Sequence, residues 1–187
     1  MNAAIAIYDP AYFETPASPS FGRRHFALMG ATVDIHATLE ETGTTSIIEV
    51  GIPPNFPGVP PHLHEQTAEG FYVLEGNIDV LYDGKWNEAH RGDFFLIPPR
   101  MVHGYRNSTD RPARFLITGT RHDRYYCDLV DWMYREPIWP PTDREALITF
   151  GRRHDTLFSV DFPTNCEAIH LYGNDTIDNI VLSASLA

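Results

Sequence analysis

Two histidines one residue apart, His62 and His64, followed by Glu69, constrain this chain more than any other feature. On a β-strand, residues i and i+2 project from the same face, so both imidazoles aim at one point. Glu69 stands past a short polar turn and opens the apolar run Phe71-Tyr72-Val73-Leu74. A hairpin there folds its carboxylate back onto the same point. Neutral imidazoles with a carboxylate are the donor set of a divalent transition metal. His103 follows the Pro98-Pro99 turn, opens another strand-like run, and can supply a fourth donor. Four protein donors leave two positions open on an octahedral ion, whereas a structural zinc site is closed and more often cysteine-rich. The set therefore points to catalysis or ligand binding. His25, His36, His90, His122, His154 and His170 have no such company; His122, just past the last core strand, is the one to watch.

The surrounding pattern is that of an all-β chain. Fifteen prolines and thirteen glycines favour short strands and turns. Two strands are expected around Gly30, then one over 45–52, and residues 53–61 form a proline-rich loop that delivers His62. Strands follow over 71–74, 77–82, 85–89, 94–97, 102–107 and 113–119, with Asp83-Gly84 as a hairpin turn. Residues 40–44 read as a polar turn. Beyond Gly119 the period changes: Tyr126, Leu129, Val130 and Met133 predict an amphipathic helix over 123–135 that caps one end of the core. A shorter helix over 142–150, capped by Thr142 or Asp143, and strand-like pieces at 157–162 and 168–171 complete the tail.

At this point the sequence resembles the cupin superfamily. The first cupin motif is carried by His62, His64, Glu69 and Gly76, with Gly58 ahead of them; the second is carried by Gly92, Pro98, His103 and Asn107. Arg100 stands where the second motif usually has a glycine. Residues 39–55 look like the quercetin-dioxygenase-like branch of small single-domain cupins. The resemblance implies a cupin jelly-roll barrel, two packed antiparallel sheets, with one C-terminal capping helix and an extended tail. The division expected is an N-terminal arm over 1–25, the jelly roll over 26–120, and a helix and tail over 121–187 packed on the barrel or on a partner subunit. It also implies one metal ion held by His62, His64, Glu69 and His103. Iron, nickel or manganese suit the resemblance best; zinc, copper and cobalt also suit the donors.

Strand parity extends the site. Phe71 and Val73 share parity with Glu69, and Tyr105 with His103; Phe115 and Ile117, or else Arg114 and Leu116, face inward from the last strand. An aromatic, apolar chamber beside one metal suits a planar small-molecule substrate. The expected activity is an oxidoreductase of secondary metabolism: an oxygen-dependent dioxygenase cleaving a ring or C–C bond of an aromatic or enolic, flavonol- or polyketide-like molecule. Glu69 is its general base. A non-oxidative metal-assisted isomerase, cyclase or decarboxylase, and a non-catalytic small-molecule-binding cupin, are the alternatives.

Other classes are excluded or bounded by composition. The formal charge is −11, and Arg23-Arg24 and Arg152-Arg153 are too short to make a nucleic-acid patch. No apolar run approaches the roughly 20 residues of a membrane span, and residues 3–7 are too short for a signal peptide, so cytoplasmic residence is expected. Cys127 and Cys166 have no metal spacing and read as free, buried thiols, with a disulfide as the alternative. Phe-Gly-Arg-Arg-His occurs at 21–25 and 150–154 without matching flanks, a coincidence rather than a repeat. The aromatic arm (Tyr8, Tyr12, Phe13) and the long tail predict a homodimer.

Overall fold

Alternating β-branched and aromatic residues set the strands, and proline and glycine set the turns between them. In the computed structural model, residues 24–28, 30–136 and 143–158 are described. The aromatic arm, the proline link, Cys166 and the tail strand at 168–171 lie outside the described residues. The described residues form eleven strands: β1 (Arg24–Leu28), β2 (Ala31–Ala37), β3 (Ser46–Ile52), β4 (His62–Leu63), β5 (Glu69–Glu75), β6 (Asn77–Tyr82), β7 (Lys85–His90), β8 (Phe94–Ile97), β9 (Gly104–Arg106), β10 (Ala113–Gly119) and β11 (Leu157–Phe158). Three helices accompany them: α1 (Leu39–Thr42), α2 (His122–Arg135) and α3 (Arg144–Arg153).

One sheet runs β1-β2-β3-β10-β5-β8, all antiparallel. The other layer holds β7-β6-β9 and the pair β11-β4. A bridge between His62 and His103 ties these two pieces: His62 N–H donates to His103 O at 3.0 Å, and His103 N–H returns to His62 O at 2.8 Å. Among the described residues the layers do not close into a continuous hydrogen-bonded barrel. Inward side chains of both merge into one core, with Val33, Ile48 and Val50 from one sheet and Ile78, Val80 and Tyr105 from the other. Full burial of such side chains contributes about 1.5–3 kcal/mol each.

Two local features place the site. The loop over 53–61 lies so close to β9 that a side chain at Gly58 would run into Tyr105 O and the Arg106 Cβ. Gly58 also sits at φ +101°, a conformation only glycine adopts easily. The loop is held there by Val59 N–H donating to Tyr105 O at 3.1 Å, and it delivers His62 beside His103. Beyond β10, Arg121 adopts the left-handed conformation (φ +68°) and turns the chain directly into α2.

The helix expected over 123–135 is α2, burying Tyr126, Leu129 and Val130. The shorter one is α3, capped by Asp143, whose side chain accepts from Ala146 N–H. Residues 40–44, read as a turn, instead begin within α1. Thr38 and Glu41 form a capping box and Gly43 closes the helix in the left-handed conformation. The pattern T-x-x-E at 38–41 is the sequence signal for this helix. Cys127 is a free, half-buried thiol that accepts from Arg24 Nη1 at 3.0 Å. No helix among the described residues is long and apolar enough to cross a membrane.

Candidate metal centre

β4 and the residue after it carry His62 and His64, β5 opens with Glu69, and His103 immediately precedes β9. One donor atom from each lies within 4.8 Å of all the others. His64, Glu69 and His103 are buried and His62 is partly exposed. The four residues singled out by spacing thus meet at one point between the two layers.

Main-chain carbonyls orient all three imidazoles. His62 Nδ1 faces Pro60 O at 2.8 Å, His64 Nδ1 faces Asp155 O at 2.8 Å, and His103 Nδ1 faces Met101 O at 2.9 Å. A carbonyl only accepts, so each Nδ1 carries a proton and each neutral ring presents its Nε2 lone pair inward. Those lone pairs face the Glu69 carboxylate: His103 Nε2 is 2.7 Å and His64 Nε2 3.5 Å from Oε2. Acceptors held this close in a buried site repel unless a proton or a metal cation lies between them. Nitrogen and carboxylate donors on rings locked by outer hydrogen bonds fit a divalent transition metal.

The electrostatics of the metal-free site hold Glu69 and His62 in their ligating forms and draw His64 toward protonation. Burial pushes the Glu69 carboxyl up, but the nearby His122 imidazole and the close approach of the His103, His122 and His64 ring nitrogens outweigh it, and the net shift is well below the usual carboxylate range. Burial, reinforced by the His103 and His64 rings, holds His62 well below its ordinary value, toward the neutral ligating form. For His64, burial acts downward, yet the Glu69 hydrogen bond and charge carry the net shift upward.

The five side chains expected to contact substrate all face inward, at 0–6% exposure. Pairing along β5 and β10 sets Glu69 opposite Gly119, Phe71 opposite Ile117 and Val73 opposite Phe115, so the series runs inward from the site. The inward residues of β10 are Phe115 and Ile117; Arg114 faces out and pairs with Glu49 and Glu75. Phe71 meets His103, Tyr105 and Phe115 at ring separations of 6.0, 5.9 and 5.9 Å. Together they form a packed aromatic floor behind the His103 ring.

Three further contributions come from residues to which the sequence assigns no role at the site. Asp155, between α3 and β11, accepts from the N–H groups of Glu65, Gln66 and Thr67 at 3.0, 3.1 and 3.0 Å, while its carbonyl orients His64. Arg100 keeps the left-handed turn (φ +68°) despite replacing the motif glycine, and its N–H donates to His64 O at 2.6 Å. His122, just past the last core strand, reaches Glu69 Oε1 with its Nε2 at 3.1 Å. No local motif marks Asp155 or His122; both act across long sequence separations.

The fold and four-donor centre are those of a cupin, and residues 48–119 match the cupin domain family. Over this stretch the chain carries a cupin domain. It is 42% identical over 45 residues to quercetin 2,3-dioxygenase of Bacillus subtilis (strain 168), covering 24% of this chain and 13% of that protein. It is 37% identical over 62 residues to germin-like protein subfamily 2 member 3 of Arabidopsis thaliana, covering 30% and 28% respectively. The matches thus span well under half of these relatives. Among solved structures, the polyketide cyclase RemF from Streptomyces resistomycificus superposes with a TM-score of 0.43 at 26% identity, over 48% of this chain and 63% of that one.

Proposed function

We propose that this chain is a metal-dependent enzyme that cleaves a small aromatic or enolic molecule with oxygen; the 45-residue match to a protein named quercetin 2,3-dioxygenase supports the reading. The observation that supports it most is the inward presentation of three Nε2 lone pairs beside Glu69. A bound divalent ion would supply Lewis acidity that lowers the pKa of a substrate hydroxyl and, if redox-active, a route for oxygen chemistry. His62, His64 and His103 hold that ion, and iron, nickel or manganese suit the donors.

Glu69 is placed to take the hydroxyl proton of a phenolic or enolic substrate beside it. Phe71 and Tyr105 back the metal-facing His103 ring; Val73, Phe115 and Ile117 give the apolar depth that excludes water from the reacting carbon. Oxygen uptake with flavonols and polyketide phenols tests the reading. Consumption of one O2 per substrate supports it, and equal turnover under strict anaerobiosis replaces it with metal-assisted isomerisation, cyclisation or decarboxylation.

The same proposal includes three domain segments (1–25, 26–120, 121–187), cytoplasmic residence and a homodimer. Tyr72, Phe94 and Leu96 are exposed on β5 and the edge strand β8, which supports association. A monomer mass in light scattering rejects the dimer.

A further inference from the structure

His122 stands outside the four-donor group but touches it. Its Nε2 lies 3.1 Å from Glu69 Oε1 and 3.4 Å from His64 Nε2, while the other carboxylate oxygen, Oε2, faces His103. The ring is buried, and its Nδ1 has no hydrogen-bond partner among the described residues. A neutral ring with one partnered nitrogen carries its proton on that nitrogen when the partner is a carboxylate. Nε2–H therefore donates to Oε1.

The position is built rather than incidental. The left-handed Arg121 turns the chain so that His122 is the first residue of α2. Gly119, opposite Glu69 on β10, leaves room for the ring: a side chain there would run into its Cε1 and Nδ1. α2 is anchored below by Tyr126, Leu129 and Val130 in the core. The His64 and His122 rings meet edge to face at 5.0 Å.

We propose that His122 is a positioning residue for Glu69: by occupying Oε1 it holds the carboxylate to one metal-facing oxygen, Oε2. This rests on the metal-centre reading above. An ion at the centre then meets three imidazoles and a single carboxylate oxygen, and its remaining positions stay open for substrate. Without His122, Oε1 is free to swing in and make the carboxylate bidentate, taking one open position. α2, outside the two cupin motifs, thereby sets the coordination number.

Cobalt(II) is the probe, because the intensity of its visible bands reports coordination number. Wild type, H122A, H122Q and G119A are titrated with cobalt(II), and affinity and spectrum are read. Loss of an outer-shell partner typically weakens metal affinity 10–100-fold. H122A should still bind one cobalt(II) per chain, about 10-fold more weakly, with weaker bands as coordination number rises. H122Q, which keeps an N–H donor at a similar reach, should restore both toward wild type. G119A, which displaces the ring without removing it, should shift the spectrum in the direction of H122A. In an E69A background the H122A effect should shrink to within about twofold, as a coupled pair requires.

An H122A protein with unchanged affinity and spectrum overturns this proposal alone. So does an undiminished H122A effect without Glu69, which would make His122 a direct ligand or a general stabiliser. A wild-type chain that binds no cobalt(II) overturns it together with the metal centre.

Discussion

Removing the Asp155 carboxylate should loosen the loop over 65–67 and, with it, the metal-facing end of His64. The carboxylate accepts three backbone N–H bonds at 3.0–3.1 Å. Bonds to a charged group contribute about 1.5–3 kcal/mol when well shielded. Glu65 and Gln66 are exposed, so water replaces much of what is lost, and about 2 kcal/mol for the set is a reasonable discounted sum. Asp155 also sits at φ +57°, which costs an alanine about 1 kcal/mol and a glycine nothing.

The substitutions therefore separate two effects. Asp155→Asn keeps one acceptor oxygen and should lose about 1 kcal/mol. Asp155→Gly loses the clamp without backbone strain, about 2 kcal/mol, and Asp155→Ala loses both, about 3 kcal/mol. At about 2–4 °C per kcal/mol for a chain of this size, Asp155→Ala should melt roughly 6–12 °C below wild type. The main-chain carbonyl that orients His64 survives in all three. Metal affinity should consequently fall in the same order rather than vanish. Calorimetric melting of the metal-free proteins and zinc(II) titration check this. If Asp155→Gly melts below Asp155→Ala, or all three melt with wild type, the clamp argument is wrong.

Phe71→Ala should cost about 3–5 kcal/mol in chemical denaturation, because the ring is fully buried against His103, Tyr105 and Phe115. Arg100→Gly should raise stability by about 1 kcal/mol by relieving the left-handed turn, with His64 O still accepting from the residue-100 amide. For the metal-free chain, the Glu69 carboxyl is lowered well below its ordinary 4.5. Its contribution to stability is fully present above that value and is lost as pH falls through the folded value. Glu69→Gln should flatten the decline of melting temperature below pH 4.5; an unchanged slope would remove Glu69 as its source.

Much of the site was legible because its signals are local. His62 and His64 share a strand face, Glu69 begins the next strand, and His103 follows a proline turn, so alternation and turn chemistry alone bring four donors together. The same alternation placed Phe71, Val73 and Tyr105 inward. It left the β10 choice open, because Arg114-Phe115-Leu116-Ile117 supports either parity until Arg114 finds Glu49 and Glu75 outside the core. What sequence could not give was contact between distant segments. Asp155 reaches residues 65–67 only because β11 pairs with β4, and His122 reaches Glu69 only because β10 lies beside β5. Arg100 showed a different gap: the turn keeps its conformation after losing the residue that favours it.

The most direct measurement of the central claim is the metal content of wild type, His62→Ala and His103→Ala after loading with excess divalent metal and dialysis. Elemental analysis, alongside circular dichroism to check the fold, should find one ion per wild-type chain and essentially none in either folded variant. Equal retention in all three proteins, or none in wild type, would contradict an ion held where these imidazoles converge.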